Sequence, residues 1–206
     1  PASAWKWLWL GTAVTVALIA LPFAGLVQVS PVQLQNAVIY VIVGMAALYF
    51  LYLLFFAGLA AVARKRVLVL IVLFFACALF WAGFEQAGSS LNLFAERNTD
   101  RMVGDFEVPA GWFQSLNAVF IVMFAPVFSA LWVWLAKRNM DPSTPVKFAF
   151  GLLGMAAGFL VMVGAANVVA GGAQAAAYWL VLTYLLHTYG ELCLSPVGLS
   201  SVTKLV

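Results

Sequence analysis

One apolar stretch, residues 146–170, reads VKFAFGLLGMAAGFLVMVGAANVVA, and its only charged residue is Lys147. A helix needs about 20 mostly apolar residues to cross the hydrocarbon core of a bilayer, so this stretch is long enough to span one. Its apolar residues are continuous and do not alternate with polar ones, which indicates a helix and argues against a strand of a membrane barrel. The stretch therefore predicts a transmembrane helix.

The rest of the chain repeats this composition. Of all 206 residues, 66% are hydrophobic and 8% are charged, whereas soluble domains contain about 45–50% apolar and about 25% charged residues. Because no soluble core of this length could hold so much apolar surface, the composition excludes a soluble domain. The sequence predicts an all-α polytopic membrane protein of about six transmembrane helices, at residues 5–27, 36–63, 67–95, 112–136, 146–170 and 175–206.

The charges of the predicted loops give an orientation. Basic residues cluster at Arg64–Arg66 and within Lys137–Lys147, while the loop Glu96–Gly111 has no basic excess and Gly171–Gln174 is uncharged. Loops rich in Lys and Arg stay in the cytoplasm, so the first two loops are predicted inside and the other two outside. This topology places both ends of the segment in the cytoplasm. The net charge of +3 lies in short loops, which indicates topology and not a nucleic-acid surface.

Two acidic residues, Glu85 and Glu191, lie away from the ends of the predicted helices, and no basic residue does. A charge at the membrane centre costs roughly 2.5–3.5 kcal/mol. Such a residue usually faces a cavity, pairs with a cation or transfers protons, so we interpret both glutamates as functional. The alternative is a structural pair or a protonated buried acid. Any basic partner would have to come from outside this segment.

Other polar residues share helix faces with these candidates. His187 lies four residues before Glu191 and Ser195 four residues after it, which places all three on one face. His187 suits a proton relay or the packing of helices. Ser195 suits a hydrogen bond to a ligand or to its own helix. Gln114 and Asn117 also share a face, and an amide inside a membrane helix needs a partner or a cavity.

The apolar stretches also contain two cysteines and a proline between glycines. We interpret Cys77 and Cys193 as small buried side chains, and no residue pattern predicts a disulfide, a metal site or a cofactor. Pro196 lies between Gly190 and Gly198, which predicts a flexible or broken helix of the kind that transporters place near substrate sites.

Three stretches resemble the proton-dependent oligopeptide transporters. Residues 80–95, FWAGFEQAGSSLNLFA, resemble the seventh-helix signature of that family; residues 114–126, from QSLN to Pro126, resemble its eighth helix; and residues 190–199, GELCLSPVGL, resemble its tenth. The resemblance implies part of a major-facilitator-type fold. Residues 1–63 would be the extra helix pair that links the two halves of prokaryotic members, and residues 64–206 the first four helices of the C-terminal bundle.

The resemblance also implies a function and a set of site residues. It implies a symporter, and not an enzyme, that imports di- and tripeptides across the cell inner membrane, with protons as the coupling ion and without a cofactor. Glu191 would meet the amino end of the peptide and Asn117 would hydrogen-bond its backbone. Glu85 would pair with an arginine of the N-terminal half and open or close the outer side, and both glutamates are candidates for proton coupling. The pocket would be lined by Trp81, Phe84 and Ser195.

The ends of the chain suggest a segment of a longer protein, because it begins at Pro1 without an initiator methionine and stops at Val206 inside a predicted helix. The expected partners are di- and tripeptides, protons, the lipid bilayer and the missing N-terminal helical half of the same protein, without nucleic acid. We do not expect the segment to transport anything alone.

Two rival functions fit the same composition. The scaffold could transport another small solute, such as nitrate or a glucoside, although an acid at mid-membrane favours an amine over an anion. It could instead be a membrane scaffold without transport activity. Uptake of a labelled dipeptide into vesicles that contain the intact protein separates these possibilities.

The predicted topology is testable by labelling single cysteines from each side of the membrane. We expect cysteines in Arg64–Arg66 and Lys137–Lys147 to react only from the cytoplasmic side and those in Glu96–Gly111 only from the outside. A Glu96–Gly111 loop that reacts only from the cytoplasm would overturn the topology.

Overall fold

The computed structural model describes the backbone of residues 2–23 and 30–205 and the side chains of residues 5–16 and 30–194. The chain divides into two compact units, Pro1–Ala60 and Ala61–Val206.

The described residues of the first unit form two helices, α1 (Ala2–Phe23) and α2 (Pro31–Leu51), and a π-helical turn at Tyr52–Phe56 that continues α2. A proline begins α2, where its missing N–H costs nothing because the first amides of a helix have no partner within it. No residue of α2 is buried, although its side chains are almost all apolar. A helix that is apolar and exposed on every side indicates lipid as the surrounding solvent.

Over residues 61–205, the second unit contains five α-helices and four short strands. The helices are α3 (Ala61–Phe84), α4 (Ser90–Asn98), α5 (Ser115–Lys137), α6 (Thr144–Ala170) and α7 (Tyr178–Leu205), with 3-10 turns at Glu85–Gly88 and Ala110–Gln114. Strand β1 (Thr99–Asp100) pairs in parallel with β4 (Ala175–Ala176), and β2 (Met102–Val103) forms an antiparallel pair with β3 (Phe106–Glu107). The loop before α5 is therefore an ordered hairpin.

The long helices match the predicted spans. Within the described residues, four segments are long and apolar enough to cross a membrane: Pro31–Phe56, Ala61–Asn98, Ala110–Lys137 and Thr144–Ala170. Helices α1 and α7, of 22 and 28 residues, extend beyond the described side chains. The prediction of an all-α, multi-pass membrane protein of about six long helices is confirmed.

The helix predicted over residues 67–95 is not continuous. The side-chain oxygen of Gln86 accepts hydrogen bonds from the hydroxyls of Ser89, at 3.3 Å, and Ser90, at 2.7 Å. Such local side-chain bonds stabilise non-helical backbone, and the glycine that ends the turn Glu85–Gly88 has a low helix propensity. The helix therefore stops after α3 and resumes as α4, so the predicted span contains a 3-10 turn at Glu85–Gly88.

Helix α7 also differs from its prediction. It begins at Tyr178, after β4 and not at Ala175, and its backbone stays helical past Pro196 to Leu205. The prediction of a broken helix is therefore wrong, while the flexibility of this helix stays a prediction. The side chains from Ser195 onward lie outside the described residues.

Helices α6 and α7 approach each other closely through glycines. A Cβ at Gly154 would lie 3.0 Å from the Cα of Gly190, and a Cβ at Gly190 would lie 2.6 Å from the carbonyl oxygen of Gly151. A Cβ at Gly158 would overlap the ring of His187. In a membrane, helices associate through such close packing because lipid removes the hydrophobic drive between them. These glycines therefore fix the position and rotation of α7 on α6.

Gly190→Ala should destabilise the protein, since the added methyl group would collide with the backbone of α6 and not with a flexible side chain. We expect a loss of about 1–3 kcal/mol, as for other overpacked sites, measured as a lower thermal unfolding midpoint of the intact protein in lipid nanodiscs.

Gly44→Ala is the matched control, because Gly44 lies inside α2 and a Cβ there meets nothing within 4 Å. It should keep or slightly raise the midpoint, since alanine favours the helix. Equal destabilisation by both substitutions would contradict the glycine contact.

Candidate functional site

A cavity of about 220 Å³ opens in the second unit where the Glu85–Gly88 turn meets α5 and α7. It lies beside the break between α3 and α4, and its polar groups come from three separate parts of the chain. The lining residues are Phe84, Glu85, Ala87, Gly88, Gln114, Asn117, Tyr184 and His187. Of the predicted site residues, the cavity thus brings together Phe84, Glu85 and Asn117.

The turn at Glu85–Gly88 positions one of the two deep acids. Because α3 ends at Phe84, Glu85 is the first residue of the turn, and its side chain is exposed and lines the cavity. Both ion pairs found among the described side chains, Arg101–Glu107 and Lys147–Asp141, involve other residues. Within the described part of the chain, Glu85 therefore has a free carboxylate at the cavity.

Asn117 connects the cavity to the second deep acid. Its Nδ2 donates to Oε2 of Glu191 at 2.9 Å and to Oγ1 of Thr188 at 3.1 Å, both on α7. A side-chain amide has two N–H donors, so both point at α7 and the carbonyl oxygen Oδ1 is the remaining polar atom of the amide. Glu191 does not line this cavity, but its carboxylate is hydrogen-bonded to Asn117, which does. The side chain of Glu191 is half-buried.

Glu191 has a neutral donor and no ion-pair partner among the described side chains. A carboxylate at this depth is costly without compensation, and a hydrogen bond to a charged group contributes about 1.5–3 kcal/mol. The amide of Asn117 therefore offsets part of the cost of the empty site. The carboxylate can still accept a proton, an ammonium group or a basic side chain.

Aromatic rings border the cavity on the α3 side. Phe84 lines it, and Trp81 packs edge-to-face against Phe84 with ring centroids 5.2 Å apart. The buried ring of Phe80 stacks on Phe84 at 5.8 Å. Among the predicted lining residues, Phe84 thus lines the cavity directly, while Trp81 packs against Phe84.

The structure describes the side chain of His187 but not that of Ser195. His187 is buried, lines the cavity, and packs against Phe159 with ring centroids 5.0 Å apart. Its Nε2 has no hydrogen-bond partner among the described side chains. The ring therefore packs between helices, and its role as a proton relay stays a prediction. The side chain of Ser195 lies outside the described residues, so its role stays a prediction.

Two polar residues of the site were not predicted. Thr188 links Asn117 to α7, and Tyr184, which lies four residues earlier, lines the cavity. Positions 184, 188 and 191 follow helical spacing and share one face of α7. The helical spacing of Tyr184 and Thr188 from Glu191 could therefore have predicted both residues from the sequence.

The polar groups of the cavity suit hydrogen bonding and proton exchange: a carboxylate, two amides, a phenol and an imidazole. Within the described residues, no group of three or more His, Cys, Asp or Glu side chains could hold a metal ion. Cys77 and Cys193 have free thiols.

Comparisons with known proteins agree with these motifs. The sequence model of the POT family matches residues 28–206. A peptide transporter of Yersinia enterocolitica subsp. palearctica is 48% identical over 97% of this chain and 40% of its own length. A di-/tripeptide transporter of Lactococcus lactis subsp. cremoris is 36% identical over 92% of this chain and 39% of its own length. The chain thus spans about 40% of the length of these relatives.

A solved structure shows the same fold. The crystal structure of a peptide transporter POT in complex with sulfate superposes with a TM-score of 0.84 and 36% identity, over 100% of this chain and 42% of that one. The relatives and the solved structure in these matches are transporters and not enzymes. The chain belongs to the POT family, the proton-dependent oligopeptide transporters with the major-facilitator-type fold.

Proposed function

We propose that the intact protein is a proton-coupled symporter that imports di- and tripeptides across the inner membrane. The observation that supports this most directly is the Asn117–Glu191 hydrogen bond at the wall of a cavity that also contains Glu85. The relatives named as peptide and di-/tripeptide transporters supply the substrate class. Two carboxylates without described cations also disfavour an anion such as nitrate as the substrate.

The polar atoms suit the amino end of a peptide. Glu191 provides an anion for the ammonium group, and such charge-assisted hydrogen bonds are about twice as strong as neutral ones. Because both N–H groups of Asn117 point at α7, its Oδ1 is left to accept an N–H group of the peptide. Trp81, Phe84 and Ser195 would border the side chains of the peptide.

Glu85 occupies a second position in the proposed cycle. Its carboxylate lies at the break between α3 and α4, where it is exposed to the cavity. In the intact protein we assign its partner to an arginine of the N-terminal half, so that forming or losing this pair closes or opens the outer side. A proton that neutralises Glu85 would weaken the pair, which would connect protonation to gating.

We place both ends of this segment in the cytoplasm. At one end of α5 and α6, the guanidinium of Arg138 lies 4.2 Å from the centroid of Trp134, and the ammonium of Lys147 lies 4.7 Å from that of Trp132. Basic residues with tryptophans are typical of the cytoplasmic membrane interface. We also propose that residues 1–63 link the two halves of the transporter and that residues 64–206 begin its C-terminal bundle.

Glu191→Gln should abolish proton-driven accumulation of dipeptides by the intact protein in reconstituted vesicles. The amide keeps the shape of the carboxylate but loses the charge that attracts the ammonium group. We expect peptide binding to weaken by more than it does in Asn117→Ala, because a charged partner is lost.

Glu96→Gln is the matched control, because Glu96 is an exposed acid at the end of α4, outside the cavity. It should keep normal accumulation and binding. If Glu191→Gln folds normally and accumulates dipeptides as the wild type does, Glu191 is not the coupling residue and Glu85 becomes the remaining candidate in this chain.

Asn117→Ala should raise the apparent KM for several unrelated dipeptides by roughly two- to tenfold, as expected for one lost hydrogen bond. The effect should be similar for different peptide side chains, because Asn117 would bind the shared backbone. The measurement is initial uptake into vesicles at varied peptide concentrations. Normal kinetics in a normally expressed variant would reduce Asn117 to a packing residue.

A further inference from the structure

Thr188 lies behind Asn117, and its hydroxyl forms two hydrogen bonds of opposite direction. It donates to the carbonyl oxygen of Tyr184 at 2.7 Å and accepts from Nδ2 of Asn117 at 3.1 Å. The side chain of Thr188 is completely buried. A threonine hydroxyl has one proton, and here that proton is donated in the hydrogen bond to the carbonyl of Tyr184. Toward Asn117 the hydroxyl therefore acts only as an acceptor.

A fixed acceptor determines the orientation of the amide. The nitrogen and the oxygen of an asparagine side chain are almost equal in size, so hydrogen bonds alone decide which of them faces α7. Glu191 by itself would not fix this choice, since an ionised carboxylate accepts from Nδ2 while a protonated one can donate to Oδ1. Thr188 accepts in both cases and therefore favours the same orientation in both.

We infer that Thr188 is a positioning residue that holds the amide of Asn117 with Nδ2 toward Glu191 and Oδ1 toward the peptide. The part of this inference that concerns peptide binding by Asn117 rests on the proposed function. The hydrogen bond from Asn117 of α5 to Thr188 of α7 is itself independent of any substrate. Without the hydroxyl, only an ionised Glu191 would hold this orientation, and the amide would populate both orientations whenever Glu191 is protonated. Part of the population would then present a donor where the peptide also presents a donor.

The test uses the intact protein with the substitutions Thr188→Val, Thr188→Ser and Asn117→Ala, and the double substitution of Thr188→Val with Asn117→Ala. Valine keeps the shape of threonine and removes the hydroxyl, whereas serine keeps the hydroxyl. One arm measures the affinity for the dipeptide Ala-Ala in reconstituted vesicles. The other arm measures thermal unfolding midpoints without peptide.

Thr183→Val is the matched control. Thr183 lies on the same helix, is equally buried, and donates to its own backbone, to the carbonyl of Trp179 at 2.8 Å. The carbonyl of Gly158 on α6, at 3.3 Å, shares the same hydroxyl proton, and Thr183 has no hydrogen bond to Asn117. Thr183→Val should therefore lower the unfolding midpoint, equally with and without Asn117→Ala, and should leave the affinity for Ala-Ala unchanged.

For Thr188→Val we expect a lower midpoint and an affinity for Ala-Ala that is weaker by roughly two- to tenfold. Thr188→Ser should restore most of both. On the Asn117→Ala background, Thr188→Val should cause little further loss of affinity and a smaller loss of midpoint than in the wild type, because residues that act through one contact are not additive. The part of the midpoint loss that remains comes from the hydrogen bond to the carbonyl of Tyr184.

Three results would overturn the inference: unchanged affinity in Thr188→Val, equal losses in the serine and valine variants, or full additivity with Asn117→Ala. If the wild type itself does not bind Ala-Ala, the proposed function is wrong. In that case the unfolding midpoints of the four variants still decide whether Thr188 and Asn117 are coupled, and additive midpoints would refute the positioning role.

Discussion

The close contact between α6 and α7 is the constraint on which the site depends. Lipid is as apolar as the helices, so burial of apolar surface adds little to their association and close packing must supply it. Glycines on both helices allow this, since Gly190 has no space for a Cβ beside the carbonyl of Gly151. The contact buries the polar ring of His187 against Gly158 and fixes the rotation of α7.

That rotation decides which side chains of α7 meet α5. Successive residues of a helix point about 100° apart, so neighbouring positions face different helices. His187 packs toward α6, while Thr188 and Glu191 face α5 and bind Asn117. A rotation of α7 by one position would take the carboxylate away from the amide. The glycine contact on one side of α7 therefore maintains the hydrogen-bonded pair on the adjacent side.

The sequence predicted the membrane fold and the acids, but not the partnerships among residues. Glu85 and Glu191 were evident because charge is rare in an apolar helix. The bond from Asn117 to Glu191 was not, because it joins two helices whose relative rotation depends on packing. Thr188 was missed although its spacing from Glu191 places it on the same helix face, because a threonine in a membrane helix commonly bonds to its own backbone. The turn at Glu85–Gly88 was missed although its cause is local, since glutamine and two serines compete with the helix there.

The energetics of Glu191 explain why one residue can serve several partners in the proposed cycle. A hydrogen bond to a charged group contributes about 1.5–3 kcal/mol, similar to the roughly 2.5–3.5 kcal/mol that a charge costs at the membrane centre. The amide of Asn117 therefore lets the site stay empty without a large penalty. A cation 4 Å away contributes about 4 kcal/mol at an effective dielectric of 20, which is enough to decide the occupant. A proton, an ammonium group and a basic side chain then exclude one another at a single carboxylate, and each changes the affinity of the others reciprocally.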